Sequence, residues 1–348
     1  MTYSSGQLIQ ATDFNGFVGP TGSGGTAGAN LNDIWATGSG DKGWGQTALA
    51  TVSAGSVVAA GVTSPIASAT SWAGLVTDLS LAGQQTNTSL TARTAPTIGQ
   101  TIGILAALNT DLTNVTNNRG NAAAVGTEYG TFSGTTSKAG ASGSGQASWT
   151  ITFTHVINFS TAAQARYFWN AGGRVRLQYG KSSTGTDIDA DWNTFVGYCG
   201  SIYLSGRVAG AAQQIAGTSY TGTTRIGGTG GTQNTLATTT GWYSLTPGAA
   251  ATNIFTLNNS NSPYTGEYIQ TTAAVDSGSV NLTLVTTWYQ PAVSAAGTTC
   301  NISGGTVTNS PSTTITGSAP TTLVTYIPPS TSYLSNSWGT PSITASVA

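Results

Sequence analysis

Hydrophobic positions recur every three or four residues in the first third of the chain and every second residue in most of the remainder, so the pattern predicts helices first and strands after. From Thr70 to Gly83, Trp72, Leu75, Val76, Leu79, Leu81 and Ala82 follow helical spacing, with Thr70 placed to cap and Gly83 to stop the helix. A second stripe, Ile98, Ile102, Leu105, Leu108, Leu112 and Val115, ends just before Gly120. Arg93, Thr94 and Pro96 form the bend between the two. A seam this regular has to be covered, either within a helical hairpin spanning 61–127 or by a neighbouring subunit in a coiled coil. Residues 1–60 carry two shorter helical patterns, one capped by Thr12 with Phe14, Phe17 and Val18, the other at Asn30–Trp35. Neither is long enough to stand alone, so this region needs another surface to pack on.

Beyond Ala124 the period changes to two. Runs at 148–159, 174–180, 200–208, 252–257, 265–270, 279–289, 321–327 and 342–347 are separated by Gly, Ser, Thr and Asn turns, as in antiparallel sandwiches and barrels. The runs in 291–348 either join the sandwich of 128–290 or form a separate set. The spans 134–147, 209–240 and 290–320 read as glycine- or threonine-rich loops. After the first run, Ser160 has the side chain of an N-cap, and Ala162, Ala163, Ala165, Phe168 and Trp169 suit a helix of about two turns that Asn170 and Gly172–Gly173 end. In 174–180, Val175, Leu177 and Tyr179 share one face, leaving Arg174, Arg176 and Gln178 on a face that is wet or meets a partner. Trp192–Val196 adds one further helical turn. The expected fold class is mainly β: a small helical N-terminal region with a helical pair, followed by an antiparallel β-sandwich-like region with long Gly/Thr-rich loops.

Composition narrows the class of protein. Only 6% of residues are charged against 38% hydrophobic, with 47 glycines, 9 tryptophans and 13 tyrosines, which fits a β-rich surface protein better than a cytoplasmic enzyme and argues against a disordered chain. The ten Lys and Arg are scattered and the net charge is −1, so no basic stripe is available to neutralise phosphates and nucleic-acid binding is not expected. No apolar run approaches the ~20 residues that span a bilayer, so membrane insertion is not expected. The opening Met1–Gly6 lacks a positive n-region and an apolar h-region, which leads to the expectation of synthesis in a cytoplasm and release by assembly and lysis.

Candidate chemistry is sparse. His155, the one histidine, shares a strand face with Ile151, Phe153, Ile157 and Phe159, the pattern of a core histidine rather than a base. Cys199 and Cys300 lie in separate strand-like segments, as reduced core thiols do, with a disulfide as the alternative. One histidine and two distant cysteines cannot supply zinc-ligand spacing. Asp187, Asp189 and Asp191 alternate like the start of a calcium loop, but Trp192 and Tyr198 stand where the glycine and glutamate belong, and Asp189 or Asp191 also suits a helix cap. Gly38–Gly43 has dinucleotide-loop spacing without a helix opening after it, and Gly180-Lys181-Ser182 has Val175 in place of the required upstream glycine. No cofactor and no catalytic residue is assigned. A glycosidase would need two facing carboxylates, and only Glu128 and Glu267 are glutamates; Asp187–Asp191 would have to meet another subunit. The remaining candidates are interface or binding residues: Phe14, Phe17, Trp35 and Trp44 near the N-terminus, Arg174 and Arg176, and Trp242, Tyr243, Tyr264 and Trp338, with Tyr268, Trp288–Tyr289 and Tyr333, whose rings suit a subunit interface or stacking on sugars.

Three blocks of sequence resemble a family of virion structural proteins of tailed bacteriophages, especially phages of cyanobacteria and other aquatic bacteria. They are Gly6–Asn15 with Trp35–Gln46, the helical pair closed by Val115–Arg119, and Ala165–Leu177, all within roughly the first 210 residues. The resemblance implies a non-enzymatic tail, baseplate or fibre component, located in the virion and assembled as a homo-oligomer, with a trimer as the expected form and other virion proteins as partners. On that expectation 1–60 is an attachment region and the β region displays loops and aromatics outward. A host-surface adhesin binding glycans through the C-terminal aromatics is the alternative, and a polysaccharide depolymerase using Asp189 or Asp191 the third reading.

Overall fold

A computed structural model describes residues 11–19, 30–37, 43–52, 69–94, 105–121, 129–133, 147–182, 184–205, 213–215, 218–220, 223–233, 245–260, 262–293, 298–302, 305–309 and 311–348. Among these, six α-helices come at Ala11–Val18 (α1), Asn32–Trp35 (α2), Ala69–Gln85 (α3), Leu105–Asn118 (α4), Ala162–Asn170 (α5) and Asp187–Cys199 (α6). The first strands are Tyr129–Ser133 (β1), Trp149–Asn158 (β2), Arg174–Gly180 (β3), Ser201–Ser205 (β4), Gln213–Ile215 (β5), Thr218–Tyr220 (β6), Thr223–Ile226 (β7) and Thr232–Gln233 (β8). Thr252–Asn258 (β9), Tyr268–Val275 (β10), Asn281–Gln290 (β11), Thr298–Ile302 (β12), Gly305–Asn309 (β13), Thr321–Ile327 (β14) and Ser342–Val347 (β15) complete them. The chain is mainly β, as its periodicity predicts.

Two antiparallel sheets form the body, one in the order β1-β14-β3-β4-β7 and one in the order β15-β2-β11-β10-β9-β8. The C-terminal strands therefore complete both sheets: β14 inserts between β1 and β3, and β15 runs beside β2. The sheets approach at their edges, β1 against β15 and β7 against β8, so these edges are partly shielded from edge-to-edge pairing.

Alternation along each strand fixes which face is inside. In β2, Trp149, Ile151, Phe153, His155 and Ile157 are buried while Thr150 and Asn158 are exposed. Inward residues of β11 and β10 (Leu284, Trp288, Ile269, Thr271) meet Leu177 and Tyr179 of β3 from the facing sheet in one continuous core. A run of rings crosses it: Trp149 to Trp192 at 5.6 Å, Trp192 to Trp288 at 5.2 Å, Trp288 to Tyr179 at 6.3 Å, and Tyr179 stacked on Phe255 at 5.8 Å. Their polar atoms are satisfied locally. Trp192 Nε1 donates to Gln290 Oε1 at 2.9 Å, Trp149 Nε1 to the Thr313 carbonyl at 2.7 Å, and the Tyr179, Thr271 and Thr286 hydroxyls form a buried chain.

Several elements differ from the expectation. Thr161 rather than Ser160 caps α5, its hydroxyl accepting from the Gln164 N–H. Strand 265–270 runs over 268–275 instead, because Thr271 and Ala273 occupy inward positions that a strictly apolar count passes over. The predicted turn at Trp192–Val196 is the middle of a helix that starts at Asp187. The loops read at 209–240 and 290–320 contain β5–β8 and the β12–β13 hairpin; these segments pair through their backbones without the apolar alternation that marks a half-buried strand. Of the helical pair, α3 packs against α4, and Ile98, Ile102 and Pro96 lie outside the described residues.

Candidate functional site

The three sequence blocks that carry the resemblance meet at one place, the end of α5. Trp44, fully buried, donates its indole N–H to the Asn170 carbonyl at 3.0 Å, and Asn170 Nδ2 donates back to the Gly43 carbonyl at 3.1 Å. Gln85, at the end of α3, donates to the Ala171 carbonyl at 2.9 Å. Gly45 has φ +72°, and a Cβ there would lie 2.4 Å from the Tyr167 ring, so both conformation and space demand glycine. No helix opens after Gly43; residues 43–52 take up no regular secondary structure and are tied down by side-chain amides. Asn15 bonds both the N–H and the C=O of Val52, Asn32 does the same for Leu49, and Gln46 for Ser335, each amide imitating a strand partner.

These contacts relocate the N-terminal interface candidates. Phe14 and Phe17 pack against Trp72 of α3, Phe14 edge-on at 5.1 Å, and Trp35 is buried with them. Phe14, Phe17, Trp35 and Trp44 belong to the same core as the sheets, so they are not a surface offered to another subunit. The short helices, too weak alone, find their cover within the chain. Arg174 is likewise buried, and Arg176 is half-buried in a face closed by Tyr203 and Ile327, so neither stands on an open polar face. Tyr264 and Trp338 are buried as well, which removes them as sugar platforms; Trp242 and Tyr243 lie outside the described residues.

The outer face of the six-stranded sheet is the half-exposed one. Its rows run Thr150, Tyr289, Tyr268, Asn258; then Thr152, Thr287, Gln270, Thr256; then Ser346, Thr154, Val285, Thr272. No charged residue interrupts these rows. Tyr268 and Tyr289 stack with ring centroids 5.0 Å apart.

At the start of α6 Asp187 is exposed, whereas Asp189 and Asp191 take two different roles. Thr186 and Asp189 form a reciprocal capping box, so Asp189 contributes from the third helical position and Thr186 is the cap. Asp189 Oδ2 also accepts from the Thr316 and Gly317 N–H groups, and Oδ1 pairs with Lys181, both side chains fully buried. Burial opposes its ionisation, but the Lys181 bond and the N–H donors outweigh it and hold the carboxyl down to about 2. The calcium reading of Asp187, Asp189 and Asp191 is thereby overturned. Asp189 is committed to lysine and backbone donors, and among the described residues no three His, Cys, Asp or Glu side chains group to hold a metal ion. Lys181, which in sequence forms only a chance likeness to a phosphate loop, is the partner that sequence reasoning missed.

Asp191 faces the other way, toward Glu267. The glutamate is buried at the inward position two before Ile269, half-buried Asp191 hydrogen-bonds to it, and Asn259 Nδ2 donates to both, at 2.7 Å to Glu267 and 3.3 Å to Asp191. Burial raises Glu267 to about 9, with the Asn259 bond opposing, and also raises Asp191. The pair shares one proton, held on the more buried Glu267. Tyr264 beside it rises to about 12 through burial and the neighbouring carboxylates. Two carboxyls from one chain thus face each other without a second subunit, although direct hydrogen bonding places them closer than the roughly 5–10 Å that glycoside hydrolysis uses.

Glu267 keeps its proton in the fold up to about pH 9, whereas the unfolded side chain loses it near 4.5. Between those values the folded state binds the extra proton, so this group's contribution to stability falls as pH rises. Glu267→Gln should therefore flatten the decline in melting temperature between pH 7 and 9, a window above the titration of His155 (lowered by burial to about 4) and Asp78 (raised by burial to about 6). Every tenfold difference in proton affinity between folded and unfolded chain corresponds to roughly 1.4 kcal/mol. Parallel melting curves for variant and parent across that window would refute the shared proton.

Cys199 is buried as a free thiol, and burial pushes its ionisation up. No family model, curated protein or solved structure matches the chain.

Proposed function

We propose that this chain is a non-enzymatic structural component of a tailed-phage virion, part of the tail, baseplate or a fibre, working as a homo-oligomer. The observation that carries the reading is the junction at Asn170–Ala171, where Trp44, Gln85 and the end of α5 interlock. Three separated blocks that resemble the same family form one structural unit, as expected if they are retained together. The low charge and the internally laced β body suit a part that acts by holding shape. The uncharged outer face of the six-stranded sheet is the surface on which copies or neighbouring virion proteins would associate, since burying it strands no charge.

A second reading, a host-surface glycan adhesin, retains the half-exposed Tyr268–Tyr289 pair on that same face, flanked by Asn258, Thr150 and Gln270. Mass spectrometry of gradient-purified particles encoded by the same genome should find the chain in fixed stoichiometry with the tail proteins. Its absence from washed particles while abundant in the lysate would overturn the virion assignment.

A further inference from the structure

On the outer face of the six-stranded sheet, every polar side chain in the rows that begin at Thr150, Thr152 and Ser346 is a hydroxyl or a carboxamide. Each such group both donates and accepts, whereas a carboxylate only accepts and an ammonium only donates. The face therefore matches a partner whose own groups do both, as alcohols do. It offers no cation to a phosphate, sulfate or uronate. It also offers no contiguous apolar patch to a lipid, since Val285 is the one aliphatic side chain in those rows.

Size narrows the partner further. Strands lie about 4.8 Å apart and alternate residues about 6.7 Å, so the face from β15 to β9 covers about 19 by 27 Å, roughly 500 Å², against the ~800 Å² per partner of a stable protein interface. As a protein interface it needs further surface; for a narrow ligand it suffices. Tyr268 and Tyr289 supply the stacking surface. Their rings lie 5.0 Å apart with 29° between the planes, so each covers one face of the other. The opposite faces look along the row toward Thr150 and Asn258, which are exposed and shorter than the rings beside them. A sugar has C–H groups on its faces and hydroxyls at its rim, which suits a phenol plane surrounded by alcohols and amides. We infer that this face binds an uncharged polysaccharide, a chain of neutral sugars lying along the Thr150–Tyr289–Tyr268–Asn258 row, stacked on the two phenols and hydrogen-bonded to Thr152 and Gln270 of the next row. The inference rests on the adhesin reading and adds to it the charge class of the glycan and its seat.

Affinity electrophoresis of the full chain in native gels containing dextran, mannan, galactomannan or hydroxyethylcellulose, against alginate and carboxymethylcellulose, tests it. At least one neutral polymer should retard the chain, with a dissociation constant at least about tenfold below that for either acidic one. Tyr268→Leu combined with Tyr289→Leu keeps an apolar cross-strand pair but removes the planes, and should abolish the retardation while the far-UV circular dichroism is unchanged. Asn258→Ala, at an exposed position, should weaken binding about fivefold even if the double variant folds poorly. Preference for the acidic polymers, retardation by none of them, or retardation unchanged in both variants would overturn the site. Labelled chain applied to cells of the bacterium that yields the particles separates this site from the adhesin reading. Cell binding that survives the double tyrosine variant would overturn the site and keep the adhesin, whereas no binding of the parent chain to those cells would overturn the adhesin itself.

Discussion

Replacing Asp189 with alanine should cost roughly 3–5 kcal/mol of stability, among the largest losses available to a single polar substitution in this chain. The carboxylate neutralises Lys181, both side chains being fully buried, and Oδ2 also accepts from the Thr186 N–H at 2.8 Å and from the Thr316 and Gly317 N–H groups at 3.1 Å. Alanine leaves the ammonium without its counter-charge and those donors without their acceptor. The start of α6 and the segment before β14 lose their common tether. Urea or thermal melts would register the loss. The paired change Lys181→Met with Asp189→Leu should be much milder than Asp189→Ala, because it removes both charges instead of stranding one. The pH dependence has the opposite sign to that of Glu267. With the folded carboxyl held at about 2 against 3.8 in the unfolded chain, its stabilisation is present above pH 3.8 and lost as pH falls toward 2, so the gap between parent and Asp189→Ala should narrow in acid. A variant that melts with the parent at pH 7 would show that the tether carries no net stability.

Trp44→Ala should be comparably severe, about 3–5 kcal/mol, since it empties the site of a fully buried indole and deletes its bond to the Asn170 carbonyl. Trp44→Phe retains most of the ring volume and should cost nearer 1–3 kcal/mol, from an orphaned carbonyl and a small cavity. Hydrogen exchange would locate the damage. In Trp44→Ala the amides of 43–49 and those of α5 and β3 should lose protection together, because the N-terminal segment is part of the common core. Loss confined to residues before 53 would show instead that this segment opens without disturbing the β body.

The site itself is only partly legible in the sequence. Asp187–Asp191 stands out as a cluster, and capping by Asp189 or Asp191 is one of the two roles its spacing allows; the cap itself is Thr186, with Asp189 acting from the third helical position. Nothing local announces that Lys181 pairs with Asp189, that the Thr316 and Gly317 N–H groups join them, or that Glu267 faces Asp191. These partners meet through folding rather than through neighbouring sequence. The aromatics show the same limit. Trp35 ends a short helix and Trp44, Tyr264 and Trp338 stand outside regular elements, and such a position in sequence is not an exposed position in space.

What the chain order determined by itself was local and periodic. The spacing of apolar residues placed α3 and most of α4 and β2, β3, β9, β11, β14 and β15 close to their observed bounds, and Val175 and Leu177 on an inward face, because a helix or strand repeats its geometry every few residues and its burial must repeat with it. Tertiary structure alone decided what each buried face meets. It set β14 between β1 and β3 and β15 beside β2, turned the N-terminal aromatics into core, and brought Asp191 to Glu267. Periodicity states that a face must be covered; the identity of its cover depends on the shape and polarity of segments far away in the chain, which become neighbours only when the core closes.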